Sequence, residues 1–326
     1  TQTLTVATNG DVTVPAGVTS LTVTVATTQD SVYEGDETFS LKVTEAGGVT
    51  TNGSTGVTGN ATIVDDGSVT PPGGGTPDDD RPTLSVTDAG DVSEGSNAVF
   101  TVGLTHATEA PLTINLGLNL GTAEAGDLGT MTVTYVDGNG DTQTLTVATN
   151  GDVTVPAGVT NLTVTVATTQ DSVYEGPETF SLKVTEANGI TTNGAAGVSG
   201  NATIKDDGTG PGPTPDNDKP ALAVSNAGDV NEGSNAVFNV SLSNATEAPL
   251  VINLGLVYGT AEAADLGTMT VTYVDGNGQT QTLTVATNGD VTVPAGVTSL
   301  TVTVATTQDS VYEGDETFSL KVTEAG

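Results

Sequence analysis

The sequence contains no cysteine and no tryptophan. Disulfides, thiolate ligands and thiol catalysis are therefore excluded. His106 is the single histidine, so zinc sites of the usual Cys/His type cannot form. Aromatic residues make up 3% of the 326 positions, too few for a repeated stacking surface for sugars or bases. Lys and Arg total 6 against 40 acids, a formal net charge of −34. Six basic residues cannot build a phosphate-binding face, which excludes nucleic acid and anionic membrane surfaces as partners. No apolar run approaches the roughly 20 residues of a membrane span.

High net charge with few aromatics usually marks disorder. Here a strong two-residue periodicity in Thr and Val argues against it, because β-branched residues suit pleated strands. No segment carries a sustained helical stripe. Alternating segments are expected as strands at Leu84–Val86, Ala98–Leu104, Leu112–Leu118, Met131–Val136, Leu145–Val147, Leu162–Val166, Phe180–Val184 and Ala202–Ile204. Turn residues separate them at 94–97, 137–140 and 155–158. This pattern predicts an all-β chain of tandem antiparallel β-sandwiches of the Ig-like type.

The chain repeats itself. The segment beginning at Thr1 recurs at Thr142 and Thr280, offsets of 141 and 138 residues. The expected organisation is the C-terminal part of a repeat (1–66), a linker (67–82), a complete repeat (83–207), a second linker (208–220) and the N-terminal part of a third repeat (221–326). Both ends fall inside repeats, so a longer array is expected. The linkers are rich in Pro and Gly and run into acidic clusters, Asp78-Asp79-Asp80 and Asp216-Asn217-Asp218.

Comparison between the copies singles out particular acids. Asp30, Asp171 and Asp309 recur in Thr-Thr-Gln-Asp-Ser-Val-Tyr-Glu-Gly, with Glu34, Glu175 and Glu313 four residues later. Asp65-Asp66 and Asp206-Asp207 close the completed repeats. Glu94 and Glu232 stand before the second strand region, and Asp127 and Asp265 lie in Gly-Thr-Ala-Glu-Ala-(Gly/Ala)-Asp-Leu. Other acids vary: Asp36 and Asp315 become Pro177. Hard cations such as Ca²⁺ take six to eight oxygen ligands, so carboxylates converging at one sandwich end suit Ca²⁺, several ions per repeat. Asp78, Asp80, Asp216 and Asp218 sit between one sandwich and the next, and are expected to hold an interdomain Ca²⁺, against the alternative of a flexible charged spacer. Single acids such as Glu109 and Asp152 read as solvated. Asp137-Gly-Asn139-Gly-Asp141 begins like an EF-hand loop, but Thr142 and Ala148 stand where that loop needs Gly and Glu, so a hairpin turn is expected. No differentiated catalytic constellation is present, and no enzyme activity is expected.

Val-Ser-Glu94-Gly, Gly-Thr-Ala…Asp127, Asp171-Ser-Val-Tyr-Glu175-Gly-Pro-Glu-Thr-Phe and Ala-Thr-Ile-Lys-Asp206-Asp207 together resemble a Calx-β domain. The resemblance implies a β-sandwich binding several Ca²⁺ at one end, with Glu94, Asp127, Asp171, Glu175, Asp206 and Asp207 as ligands and the Val173 carbonyl among them. That family often ends in three consecutive acids, whereas the third position here is Gly67 or Gly208. Val155-Pro-Ala-Gly-Val-Thr160, then Asp171 to Phe180, Asp206-Asp-Gly208, the Pro/Gly linker, Pro215-Asp-Asn-Asp-Lys-Pro220 and Val230-Asn-Glu-Gly233 together also resemble, over nearly the whole chain, the repeats of large bacterial biofilm adhesins of the RTX group, secreted by type I systems. That resemblance implies Ca²⁺-stiffened extender repeats at the outer cell surface, tethered to the outer membrane, with neighbouring repeats as partners. Two other readings stand beside it. The repeats themselves bind a polysaccharide, ice or another cell through their Thr rows, or they are Calx-β-type Ca²⁺ sensors.

Overall fold

The computed structural model describes residues 1–71 and 74–325; Pro72 and Gly73 of the first expected linker lie outside the described residues. The described residues are all-β, and no helix is long and apolar enough to cross a membrane. Two compact units are present, residues 1–80 and 81–326.

The first unit contains β1 (Val32–Tyr33), β2 (Glu37–Val43) and β3 (Val57–Ile63), and β2 and β3 form an antiparallel hairpin. Its residues 1–31 form no strand.

The second unit opens with a complete repeat. Its strands are β4 (Leu84–Val86), β5 (Gly90–Ser93), β6 (Asn97–Leu104), β7 (Ala107–Thr108), β8 (Leu112–Leu120), β9 (Leu128–Val136), β10 (Thr142–Leu145), β11 (Asp152–Val155), β12 (Asn161–Thr168), β13 (Val173–Tyr174), β14 (Glu178–Thr185) and β15 (Val198–Lys205). They make two five-stranded sheets, ordered β10-β9-β12-β6-β4 and β11-β8-β14-β15-β5. Seven of the eight strands expected from alternation are found; the eighth, Leu145–Val147, is displaced, because β10 runs from Thr142 to Leu145 and shares only Leu145 with it. Short strands β5, β7, β11 and β13 carry too few residues to show a period.

Alternation places the core. In β12 the apolar residues Leu162, Val164 and Val166 are buried while the intervening Thr residues lie on the outer side. Phe100 on β6 meets Phe180 on β14 edge to face, ring centroids 6.0 Å apart, which joins the two sheets. The Asp137–Gly140 segment is a hairpin turn: Val136 pairs with Thr142, and Asp137 Oδ1 accepts the Asn139 and Asp141 N–H groups.

The third repeat forms β16 (Leu222–Val224), β17 (Asn235–Leu242), β18 (Ala245–Thr246), β19 (Leu250–Tyr258), β20 (Leu266–Val274), β21 (Thr280–Leu283), β22 (Asp290–Val293), β23 (Ser299–Thr306) and β24 (Phe318–Glu324). One sheet keeps all five strands, β16-β17-β23-β20-β21, and the other has three, β22-β19-β24. The counterpart of β5 is not a strand here. In the second repeat β5 is held by parallel pairing with β15.

The second linker is not an extended spacer. It leaves β15 and doubles back on the same sandwich, with Asp207 bridging Asn217 in antiparallel fashion and the Gly208 N–H donating to the Asp216 carbonyl at 2.7 Å. Ser93 Oγ holds the Pro211 carbonyl at 2.7 Å. The first linker repeats the device within its own unit: Asp66 bridges Asp79, and the Asp80 N–H donates to the Asp65 carbonyl. A left-handed glycine is required at each return. Gly208 has φ +78°, and a Cβ there would meet Asn217 at 3.2–3.3 Å.

Candidate metal centre

In the second repeat the acids gather from loops and strand termini. Glu94 lies in the turn after β5, Asp127 just before β9, Glu175 after β13, Glu178 at the head of β14 and Asp206 just past β15. The returning linker adds Asp216 and Asp218.

Two groups form. In the first, one carboxylate oxygen each from Glu94, Asp206, Asp216 and Asp218 lies within 4.8 Å of the others; in the second, Asp127, Glu175 and Glu178 do the same. The groups are neighbours, because the Glu175 N–H donates to Asp206 Oδ2 at 3.0 Å. Asp206 Oδ1 takes the Asp218 N–H at 3.0 Å, so this one side chain fixes both the Glu175 loop and the linker.

Acidic groups on a surface do not by themselves imply an ion, but these are not simply solvated. Glu94 is 6% exposed and Glu178 is 5% exposed. Buried carboxylate oxygens without a hydrogen-bond partner occur at Glu94 Oε2, Glu178 Oε2, Asp216 Oδ2, Asp218 Oδ2 and Asp65 Oδ1. Every one belongs to an acidic group. A buried unpaired acceptor is costly, and several facing one another cost more. All-oxygen donors of this charge and spacing fit a hard divalent cation.

The same crowding holds protons. Burial, followed by the charges of Asp206, Asp171 and Asp216, raises the Glu94 carboxyl to about 8 against the pull of the Asp171 N–H. Burial and then contact with Asp127 raise Glu178 to about 8, and burial and then Asp127 and Asp171 raise Glu175 to about 7. Asp206 reaches about 6, burial outweighing its two backbone hydrogen bonds. These folded values lie above those of the free carboxyls, so the native state binds more protons than the unfolded chain between about pH 4.5 and 8. Cation-free protein is therefore expected to gain stability as pH falls through that window and lose it as pH rises. Thermal melts of decalcified protein should show a higher midpoint near pH 5.5 than near pH 8, with a smaller difference in Glu178→Gln. Equal slopes in the variant and the parent would assign the effect to net charge alone.

The sequence-predicted ligands divide. Glu94, Asp127, Glu175, Asp206, Asp216 and Asp218 come together as two groups. Asp171 lies beside them: its N–H donates to Glu94 Oε1 at 2.8 Å, while its own Oδ1 accepts the Val173 N–H at 2.7 Å. Val173 itself pairs in register with Ala245 of the third repeat.

Asp207 requires a correction. It follows Asp206 at the strand end, and successive side chains point to opposite faces. Its carboxylate turns away to accept the Thr209 N–H and hydroxyl, which lower its pKa. Asp66 likewise accepts the Ser68 N–H at 2.9 Å. The linker acids Asp216 and Asp218 thus enter a site that the Asp-Asp-Gly terminus serves with only one acid.

In the first unit Asp65, Asp78 and Asp80 form a group, with Asp30 and Glu34 outside it. Asp30 caps the Val32 N–H, and the Glu34 N–H donates to Asp65 Oδ2. In the third repeat Asp265, Glu313 and Glu316 form the counterpart of the second group. Glu232 and Asp309 stay outside it but keep their mutual contact, the Asp309 N–H donating to Glu232 Oε1 at 2.8 Å.

Glu178 and Glu316 were not among the expected ligands. The signal was present: Glu-Thr-Phe recurs at 37, 178 and 316, and Glu178 is in phase with buried Phe180, Leu182 and Val184. A carboxylate in the inward phase of a core strand calls for a partner.

Comparison with known families matches the Calx-beta domain over residues 6–67, 100–208 and 229–326. The chain belongs to the Calx-beta domain family, in tandem copies. Among solved structures it is similar to CBD12 from CALX1.2 (12% identity, 69% of this chain and 74% of that one, TM-score 0.29). It is also similar to an apo-form Calx CBD1 domain (15% identity, 38% and 98%, TM-score 0.26). A third is described as the calcium binding domain CBD12 of CALX1.1 (11% identity, 72% and 76%, TM-score 0.25). These superpositions are too loose to argue from, and family membership rests on the sequence match. No curated protein matches significantly.

Proposed function

We propose that this chain is a run of Ca²⁺-stiffened extender repeats from a bacterial cell-surface adhesin, acting outside the cell and without enzymatic activity. The observation that carries the Ca²⁺ part is the set of buried, unpartnered carboxylate oxygens confined to the acidic groups. Family membership adds the ion's identity. The extender part is supported by tandem near-identity and by linkers that return to their own sandwich.

The carboxylates repel one another at neutral pH and loosen the loops and linker they sit on. Bound Ca²⁺ supplies the compensating charge. Asp216 and Asp218 then tie the linker to Glu94 and Asp206, leaving three residues, Lys219 to Ala221, between Asp218 and the first strand of the next repeat. Extracellular modules bind Ca²⁺ at roughly 10⁻⁴–10⁻³ M, which would leave such sites empty in the cytosol and filled outside.

Small-angle scattering in millimolar Ca²⁺ and then in chelator tests this reading. The expected result is a stiff particle that becomes more flexible on chelation. Dimensions indifferent to Ca²⁺ would leave the acids as solvating charge and favour direct ligand binding by the Thr faces. A sensor built on the same site is separated by affinity, since sensor sites fill at roughly 10⁻⁷–10⁻⁵ M.

A further inference from the structure

A second site lies at the opposite end of the second repeat from its acidic groups. Asp127 precedes β9 and Asp171 follows β12, whereas a groove of about 510 Å³ opens where β9 ends and β12 begins. Asp137 from the turn after β9 and Pro156 from the turn before β12 line it, with Tyr135, Asn161, Thr163 and Thr101 from three adjacent strands. Thr163 stands in register with Thr101 on one side and with Thr134 on the other. The volume falls within the roughly 300–1,000 Å³ of small-ligand sites.

Most of its polar groups are unspent. The hydroxyls of Thr101, Tyr135 and Thr163 make no hydrogen bond among the described residues, and Asn161 uses only its Nδ2, toward Thr160 Oγ1 at 3.2 Å. Asp137 is the exception. Its Oδ1 accepts the Asn139 and Asp141 N–H groups, and its Oδ2 accepts Gln143 Nε2 at 2.9 Å. Its charge is thus satisfied within the turn, and no second acid lines the groove to seat a cation with it. No Lys or Arg lines it either, so an anion would meet a chain of net charge −34 without a counter-charge. What is offered is a set of neutral donors and acceptors beside the apolar Pro156 and Val136. That combination suits an uncharged polyol, which presents hydroxyls and C–H groups together. The third repeat keeps the set: Tyr273, Asp275, Pro294 and Thr301 recur, while Thr101 becomes Asn239 and Asn161 becomes Ser299. Each exchange substitutes one neutral hydrogen-bonding side chain for another. Asp275 is held by the corresponding donors of Asn277, Gln279 and Gln281.

We propose that this groove is a glycan subsite, one in each complete sheet, which takes a sugar unit of an uncharged polysaccharide through Thr101, Tyr135, Asn161 and Thr163 or their counterparts. A single neutral, open site binds weakly. Here the site recurs along the chain and the ligand is itself periodic, so linked sites raise the overall affinity without any new contact. This role goes beyond the extender reading and does not depend on the bound ion.

The test uses the whole chain in millimolar Ca²⁺, run on native gels containing dextran, hydroxyethyl cellulose, galactomannan or the acidic polygalacturonate. At least one neutral polymer should retard the chain, and polygalacturonate should not. Tyr135→Phe with Thr163→Val removes two hydroxyls from one groove at nearly constant volume, and Tyr273→Phe with Thr301→Val does the same in the third repeat. The fourfold variant should bind the retarding polymer about tenfold more weakly or worse, and either pair alone should give an intermediate loss. Far-UV circular dichroism and an unchanged Ca²⁺ titration establish that the variants are folded. Absence of retardation by all three neutral polymers overturns the inference, as does equal retardation by polygalacturonate or full retardation of the fourfold variant. Sedimentation velocity without polymer supplies the last outcome: a concentration-dependent dimer abolished by the same four substitutions would make the groove an interface between copies of this chain and overturn the glycan assignment.

Discussion

Chelation is expected to lower the thermal midpoint of the second repeat by about 15–25 °C. At a free cation concentration roughly a hundredfold above Kd, one seat adds about 2.7 kcal/mol to the native state. Two seats add about 5 kcal/mol, comparable with the whole stability of a marginal domain. A sandwich of this size shifts by about 3–5 °C per kcal/mol. The variant Glu178→Gln should invert part of this behaviour. Without cation it removes a buried carboxylate from a crowded group and should melt higher than the parent. With cation it loses a ligand and should melt lower. Differential scanning calorimetry with and without Ca²⁺ reads both signs. A midpoint that moves less than about 2 °C on chelation would mean that the buried acids are neutralised by protons rather than by an ion.

The second large effect separates two neighbouring acids. Asp206→Ala should cost about 2–3 kcal/mol in direct terms, because Asp206 accepts the Glu175 and Asp218 N–H groups in a buried site. It should also abolish most of the Ca²⁺-dependent stabilisation, since Asp206 stands in one group and fixes a loop of the other. Asp207→Ala loses only the cap on Thr209 and should cost under about 1 kcal/mol, with the cation titration unchanged. Calorimetric titration and melting of both variants decide the matter. Equal losses at the two positions would remove the distinction drawn from the structure.

The candidate site was legible to different depths. Recurrence marked Glu175 in three copies and Asp127 and Asp206 in two, because loop acids that persist while Asp36 becomes Pro177 are held by something other than solubility. Glu178 was legible in principle from its inward phase. Asp216 and Asp218 were recognisable as candidate ligands, but not as ligands of the preceding sandwich: a Pro/Gly stretch says that the chain can turn, not where it returns. Glu109 reads as solvated, yet the N–H of its counterpart Glu247 pairs with the Tyr174 carbonyl of the preceding repeat, since nothing local distinguishes a surface acid from one beside a neighbouring repeat.

The sequence by itself determined the repeat, the two-residue alternation that makes strands, the choice of oxygen ligands and the absence of any thiol, basic or aromatic chemistry. These are local properties, set by each residue and its immediate neighbours. Tertiary structure decided whether those strands form. Leu-Thr-Val-Thr-Val-Ala-Thr occurs identically at 21–27, 162–168 and 300–306. In the second and third copies it lies in β12 and β23, with Leu162 and Leu300 each 3% exposed. In the first copy it forms no strand, and Leu21 is 45% exposed. β12 and β23 are each hydrogen-bonded between two neighbouring strands, whereas no described strand pairs with residues 21–27. A strand's backbone groups are satisfied only by a neighbouring strand, so identical residues become a core in one place and a surface in another.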